Sequence, residues 1–108
     1  MSSEMPKCKI TVLKRTVNQD LMDEYLEDAY RDAGPCECFS DGQEIVIEDH
    51  SAVPDGFCAS AWADIRKDIL TVALGGNMPG IRQPGPVITG CMDWLRPALF
   101  KVERMDSV

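Results

Sequence analysis

Phe57-Cys58-Ala59-Ser60-Ala61-Trp62-Ala63-Asp64-Ile65-Arg66-Lys67-Asp68-Ile69-Leu70-Thr71-Val72-Ala73-Leu74 is the stretch whose reading decides the fold. Cys58, Ala61, Trp62, Ile65, Ile69 and Val72 recur at helical spacing, while Asp64, Arg66, Lys67 and Asp68 fall mostly off that stripe. The pattern predicts an amphipathic core helix over 57–74. Gly75-Gly76-Asn77 tolerates positive φ and stops it, and the loop from Asp49 to Gly56, with Pro54 and Gly56, leads into it.

Working outward, Lys7 to Arg15 alternates Cys8, Ile10 and Val12 against Lys9 and Thr11, a half-buried strand. Asn18 can cap a helix over 19–32, which Gly34-Pro35 ends. Asp41-Gly42 is a turn before a short strand over 43–48, with Ile45 and Ile47 on one side. Met78 to Pro86, rich in Pro and Gly, reads as an ordered loop and a lid candidate. Strands over 87–92 and 97–103 then join through Asp93-Trp94-Leu95-Arg96. The expectation is an α+β fold of order β-α-β-α-β-β, with two helices packed on one face of a mixed or antiparallel sheet.

A chain of 108 residues fits one domain over its full length, with 1–6 and 105–108 read as frayed ends. No apolar run approaches a membrane span, and Met1 to Pro6 lacks the features of a signal peptide, so a cytoplasmic protein without a membrane partner is expected. The net charge of -7 argues against nucleic acid, which needs clustered Lys and Arg. Most of that charge lies between Asp20 and Asp32, where six acids face Arg31, and reads as a solvated helix face. The 5 cysteines are odd in number and lack a secretory signal, so reduced thiols are expected.

The segments Lys9 to Arg15, Gly34-Pro35-Cys36, Gly56-Phe57-Cys58 with Ala61 to Ile65, Gly75-Gly76, Pro84-Gly85, and Cys91 through Arg96-Pro97 to Arg104 carry a resemblance. Together they resemble a family of small, mainly prokaryotic proteins of about this length that has no assigned reaction. The resemblance implies one domain over nearly the whole chain and no nameable chemistry. The chain departs from the family pattern at Ser60, where a second aromatic is usual, at Gly90, where a cysteine often stands, and at Trp94, commonly a glycine.

Chemistry is expected first at Cys58. If Asp55 caps the helix, Cys58 is its third residue, where unpaired amides and the helix dipole favour a thiolate; as a core residue it would simply begin the apolar stripe. Asp64, about a turn and a half further on, and His50, the single histidine, are the candidate proton partners, with a surface ion pair and a solvated ring as their plain alternatives. Trp62, Trp94, Arg96, Cys91 and Asp93 are candidate ligand contacts, although Trp62 fits a core stripe and Asp93 an Asx-turn. Cys36 and Cys38 would share a side if extended and are the metal candidates, but no second paired motif accompanies them, so neither a metal nor another cofactor is favoured. The leading expectation is a domain that binds or transforms a small molecule by thiol-assisted chemistry in a pocket near Cys58. The alternatives are a non-catalytic homo-oligomeric interaction module, using Trp94 and exposed strand edges, and a cysteine metal site.

Overall fold

A computed structural model describes residues 5–105. The elements are β1 (Cys8–Arg15), α1 (Gln19–Tyr25), a single 3-10 turn (Asp28–Tyr30), β2 (Glu44–Ile47), α2 (Ala59–Ala73), β3 (Val87–Gly90) and β4 (Ala98–Arg104). The four strands form one antiparallel sheet in the order β2-β1-β4-β3, and the protein is a small α+β domain.

Residues directly opposed in an antiparallel ladder share a face, so the register decides what the sheet buries. Ile10 stands opposite Ile45 and Val102, Val12 opposite Phe100, and Val87 opposite Val102. These side chains form one apolar face, and α2 covers it with Ala61, Trp62, Ile65, Ile69, Val72 and Ala73. The other face is polar: Lys9 sits 3.4 Å from Glu44 and 3.7 Å from Glu103, and Lys101 lies 3.6 Å from Glu103. That division is ordinary for an antiparallel sheet with one solvated side.

The alternation of β1 breaks once. The register with β4 shifts between Val12 and Lys14, so Leu13 is an extra residue. Strict alternation would send Arg15 to the solvated face together with Lys9 and Thr11. The shift instead pairs Lys14 with Leu99 and Arg15 with the fully buried Ala98, which returns Arg15 to the side that carries α2. This small irregularity places Arg15, whose side chain reaches the loop after α1.

Helix α1 stops at Tyr25, well short of the expected Asp32, and Leu26 turns to an extended conformation. Its charge explains this. Asp20 and Glu24, Asp23 and Glu27, Glu24 and Asp28, and Asp28 and Asp32 are like-charge pairs four residues apart, and no basic residue lies in the last turn of α1. Met22 is its one buried residue and lies outside the main core cluster, so α1 sits at the margin of the sheet. Asn18 fastens its start to the β3–β4 connection, its amide donating to Leu95 O (2.8 Å) and its Nδ2 to Trp94 O.

Parts of the expected frayed ends are held in place. Met5 packs against the core, Pro6 O lies 2.9 Å from His50 Nε2, and the Met105 amide donates to Lys7 O. The remainder of those ends, 1–4 and 106–108, lies outside the described residues. The lid expectation also changes. The Met78 to Pro86 loop follows the C-terminal end of α2, where Val72, Gly75, Pro84 and Gly85 line one hollow. Cys58 lies at the opposite end of that helix, about 20 Å away by the helical rise.

Phe100 is fully buried at the centre of this arrangement. Phe100→Ala is expected to destabilise the domain by about 3–5 kcal/mol in urea unfolding, whereas Trp94→Ala, at a position 77% exposed, shifts stability by no more than about 0.5 kcal/mol.

Candidate functional site

Two aromatic residues each stand next to a cysteine: Phe39 follows Cys38 and Phe57 precedes Cys58. Their rings meet edge-on with centroids 4.9 Å apart, and Phe39 also meets Phe100 at 5.1 Å in the same geometry. Phe57 further contacts Trp62 and Phe100, at 6.2 and 6.0 Å. Driving these rings into the core carries their sequence neighbours along. There the Cys38 thiol feels the charges of Cys36, most strongly, and of Cys58. Cys38 is exposed, while Cys36 and Cys58 are half-buried against the core.

Cys58 is itself the N-cap of α2, with φ -70° and ψ 121°. The expected cap, Asp55, lies outside the helix because a turn intervenes: the Phe57 amide donates to Pro54 O (3.0 Å), and Gly56 adopts φ +76°, which favours glycine. The Cys58 carbonyl accepts from the Trp62 amide at 2.9 Å, and its sulfur makes no capping hydrogen bond. The thiol therefore stands at the positive end of a helix of 15 residues, beside first-turn amides that its side chain does not occupy.

The opposing loop is held by two arginines. Arg15, turned inward by the register shift, donates from Nη1 to Cys36 O (3.0 Å) and from Nε to Asp41 Oδ1 (3.0 Å), and Asp41 also accepts from the Arg15 amide. Arg96 reaches Gly34 O from the β3–β4 connection. Glu37 and Cys38 form a turn rather than the extended segment expected of them.

The surroundings of Cys38 show in its pKa, which is pushed up from 9.0 to about 11. The charge of Cys36 is the largest cause; partial loss of hydration, a hydrogen bond with Cys36, and the charge and hydrogen bond of Cys58 add to it. At neutral pH Cys38 is therefore a protonated thiol. Among the described residues no group of three or more His, Cys, Asp or Glu side chains is arranged to hold a metal ion.

The other expected site residues lie apart from this cluster. Asp64 Oδ2 accepts the Met92 amide (2.8 Å), fastening the segment after β3. His50 is buried; its Nε2 lies 2.9 Å from Pro6 O, and its Nδ1 has no hydrogen-bond partner among the described residues. His50 O accepts from Arg66 Nε, which stands about 12 Å along α2 from Cys58 by the helical rise. Trp62 is in the core. Asp93 Oδ1 accepts the Leu95 and Arg96 amides, the Asx-turn alternative, and Asp93 and Arg96 line a hollow of about 200 Å³ against Met22 and Tyr30. Trp94 projects into solvent beside it. The Cys91 sulfur accepts the Ala98 amide (3.3 Å) where β3 and β4 diverge. Cys8 is fully buried, and loss of hydration raises its pKa. None of four surface hollows of about 170 to 320 Å³ is lined by a cysteine, so the cluster opens directly to solvent through Cys38.

Comparison with known proteins finds no matching family profile, no matching curated protein and no matching solved structure. No helix among the described residues is long and apolar enough to cross a membrane.

Because the folded protein holds the Cys38 proton more tightly than the unfolded chain does, stability linked to Cys38 is intact below pH 9.0 and is lost as pH rises toward about 11. Alkylation of Cys38 by iodoacetamide, followed by peptide mapping, is expected to rise with a midpoint near pH 11. Cys36→Ala, which removes the largest cause, moves that midpoint back toward 9.0.

Proposed function

We propose that the domain carries out thiol-assisted chemistry on a small molecule at the open cluster of Cys36, Cys38 and Cys58. The observation that carries this reading is the Phe39–Phe57 ring contact, which brings the loop of Cys36 and Cys38 to the helix start at Cys58. Cys58 is the nucleophile: it occupies the N-cap position of α2, beside first-turn amides that its side chain leaves open. Cys38 is its proton partner, holding a proton at neutral pH that it can share with the Cys58 sulfur. It takes the place expected of Asp64 and His50, whose hydrogen bonds point elsewhere. The substrate approaches from the solvent side past Cys38, and the aromatic rings beneath keep the sulfurs from drifting apart. Thiols used in this way belong in a reducing compartment such as the cytoplasm.

A second reading, self-association, draws on the β3–β4 connection, where Met92 and Trp94 are 70% and 77% exposed side by side in sequence. Sedimentation across a concentration series separates the two readings: a dimer abolished by Trp94→Ala supports self-association, and a monomer at every concentration removes it.

With limiting iodoacetamide near neutral pH, Cys58 is expected to label first, at least about tenfold faster than the buried Cys8. Cys58→Ser eliminates the fast phase, and Cys8→Ser leaves it unchanged. A Cys58 as inert as Cys8 would overturn the proposal.

A further inference from the structure

We infer that the hollow between α1 and the β3–β4 connection docks a basic peptide segment of another protein. One large apolar side chain of that segment sits in the hollow, and its lysines or arginines meet the acidic rim. The inference goes beyond the thiol chemistry proposed above and uses none of its cysteines. Met22, Leu26, Tyr30, Ala33 and Leu95 line the hollow, which measures about 200 Å³. Pockets for whole small molecules begin at roughly 300 Å³, so this one suits a single side chain. Large apolar groups stand exposed on the same two segments, Leu21, Tyr25 and Tyr30 on one and Met92 and Trp94 on the other. Asn18 ties the segments together by donating to the carbonyls of Leu95 and Trp94, so these groups share one margin of the sheet.

The surrounding charge selects the partner. Asp23 follows the lining residue Met22, Glu27 follows Leu26, Asp32 precedes Ala33, and all three acids are exposed. Asp93 lines the hollow itself. The nearby cations are engaged within the molecule: Arg31 pairs with Asp28 at 3.2 Å, and Arg96 lies 3.9 Å from Asp93 and reaches Gly34 O. Among the described residues Asp20, Asp23, Glu24, Glu27 and Asp32 make no ion pair. Cations from a partner would relieve the like-charge repulsion that shortens α1, and they sit favourably over exposed aromatic faces such as Trp94. A second copy of this chain is the poorer occupant, because a twofold contact sets a patch against itself and would oppose the two acidic segments.

The probe is a fluorescein-labelled peptide with Phe-Leu between blocks of Lys and Arg, titrated into the full chain. Binding is expected to weaken at least about tenfold from low to physiological salt, as contacts between exposed charges are screened. Ala33→Phe fills the hollow from an exposed position and is expected to weaken binding at least about tenfold while leaving the salt dependence intact. Glu27→Lys combined with Asp32→Lys is expected to weaken it as much and to flatten the salt dependence. Both variants alter exposed positions and keep the fold. Glu48→Lys, at a hollow beside β2, is expected to leave binding within about twofold. No binding by the unaltered protein, equal binding of a peptide with Gly-Gly in place of Phe-Leu, or an equal loss in Glu48→Lys would overturn the inference. A dimer that forms with rising protein concentration and displaces the peptide would give this face to a second copy and overturn it as well.

Discussion

The edge-on contact between Phe39 and Phe57, at 4.9 Å, is the interaction on which the site depends. Each ring is one residue from a cysteine, and each enters the same core through Phe100. Burial of large rings is a far stronger force than any attraction between thiols, so the core sets the distance between Cys38 and Cys58 and the sulfurs follow. The pKa of Cys38, pushed up to about 11, owes most to the charge of Cys36 in the same loop, with a smaller part from Cys58.

The sheet contributes through an irregularity. The extra residue at Leu13 brings Arg15 to the covered side of the sheet, where its guanidinium holds Cys36 O and Asp41. The early end of α1 matters in the same way. Carboxylates repeating every fourth residue stop that helix at Tyr25, leaving residues 31–41 to run as a loop back toward β1 and carry Cys36, Cys38 and Phe39 to the helix start. Two features unfavourable to regular structure, the bulge and the acidic run, thus place the thiols.

Much of the fold was legible from period alone. The alternation of Cys8, Ile10 and Val12 and the stripe through Ala61, Trp62, Ile65, Ile69 and Val72 gave the central strand and the core helix, because burial on one face leaves a direct mark in sequence. Periodicity overestimated α1 because it counts apolar positions and not the repulsion between Asp20, Glu24 and Asp28. For the site, Cys58 at a helix start was visible, although its cap was placed at Asp55, since the turn closed by Gly56 has no periodic signature. Cys38 did not stand out as a proton partner for a related reason. Asp64 and His50 are local neighbours in sequence, whereas Cys38 reaches Cys58 through a tertiary ring contact. The one available signal was the mirrored pair Cys38-Phe39 and Phe57-Cys58, a cysteine beside an aromatic on either side of β2. Arg15 had no signal, because its orientation depends on a register shift that appears only once the strands are paired.

The most direct measurement of whether the Phe39–Phe57 contact holds Cys38 against Cys58 is titration with phenylarsine oxide, which is retained only where two thiols can grip one arsenic. The reduced protein is predicted to hold one equivalent against excess monothiol, bridged in peptide maps between Cys38 and Cys58, and Phe57→Ala is predicted to release it while the folded β-sheet signal persists. Failure to retain the arsenical in the unaltered protein, or retention undiminished in folded Phe57→Ala, would contradict the claim that ring packing sets the distance between these thiols.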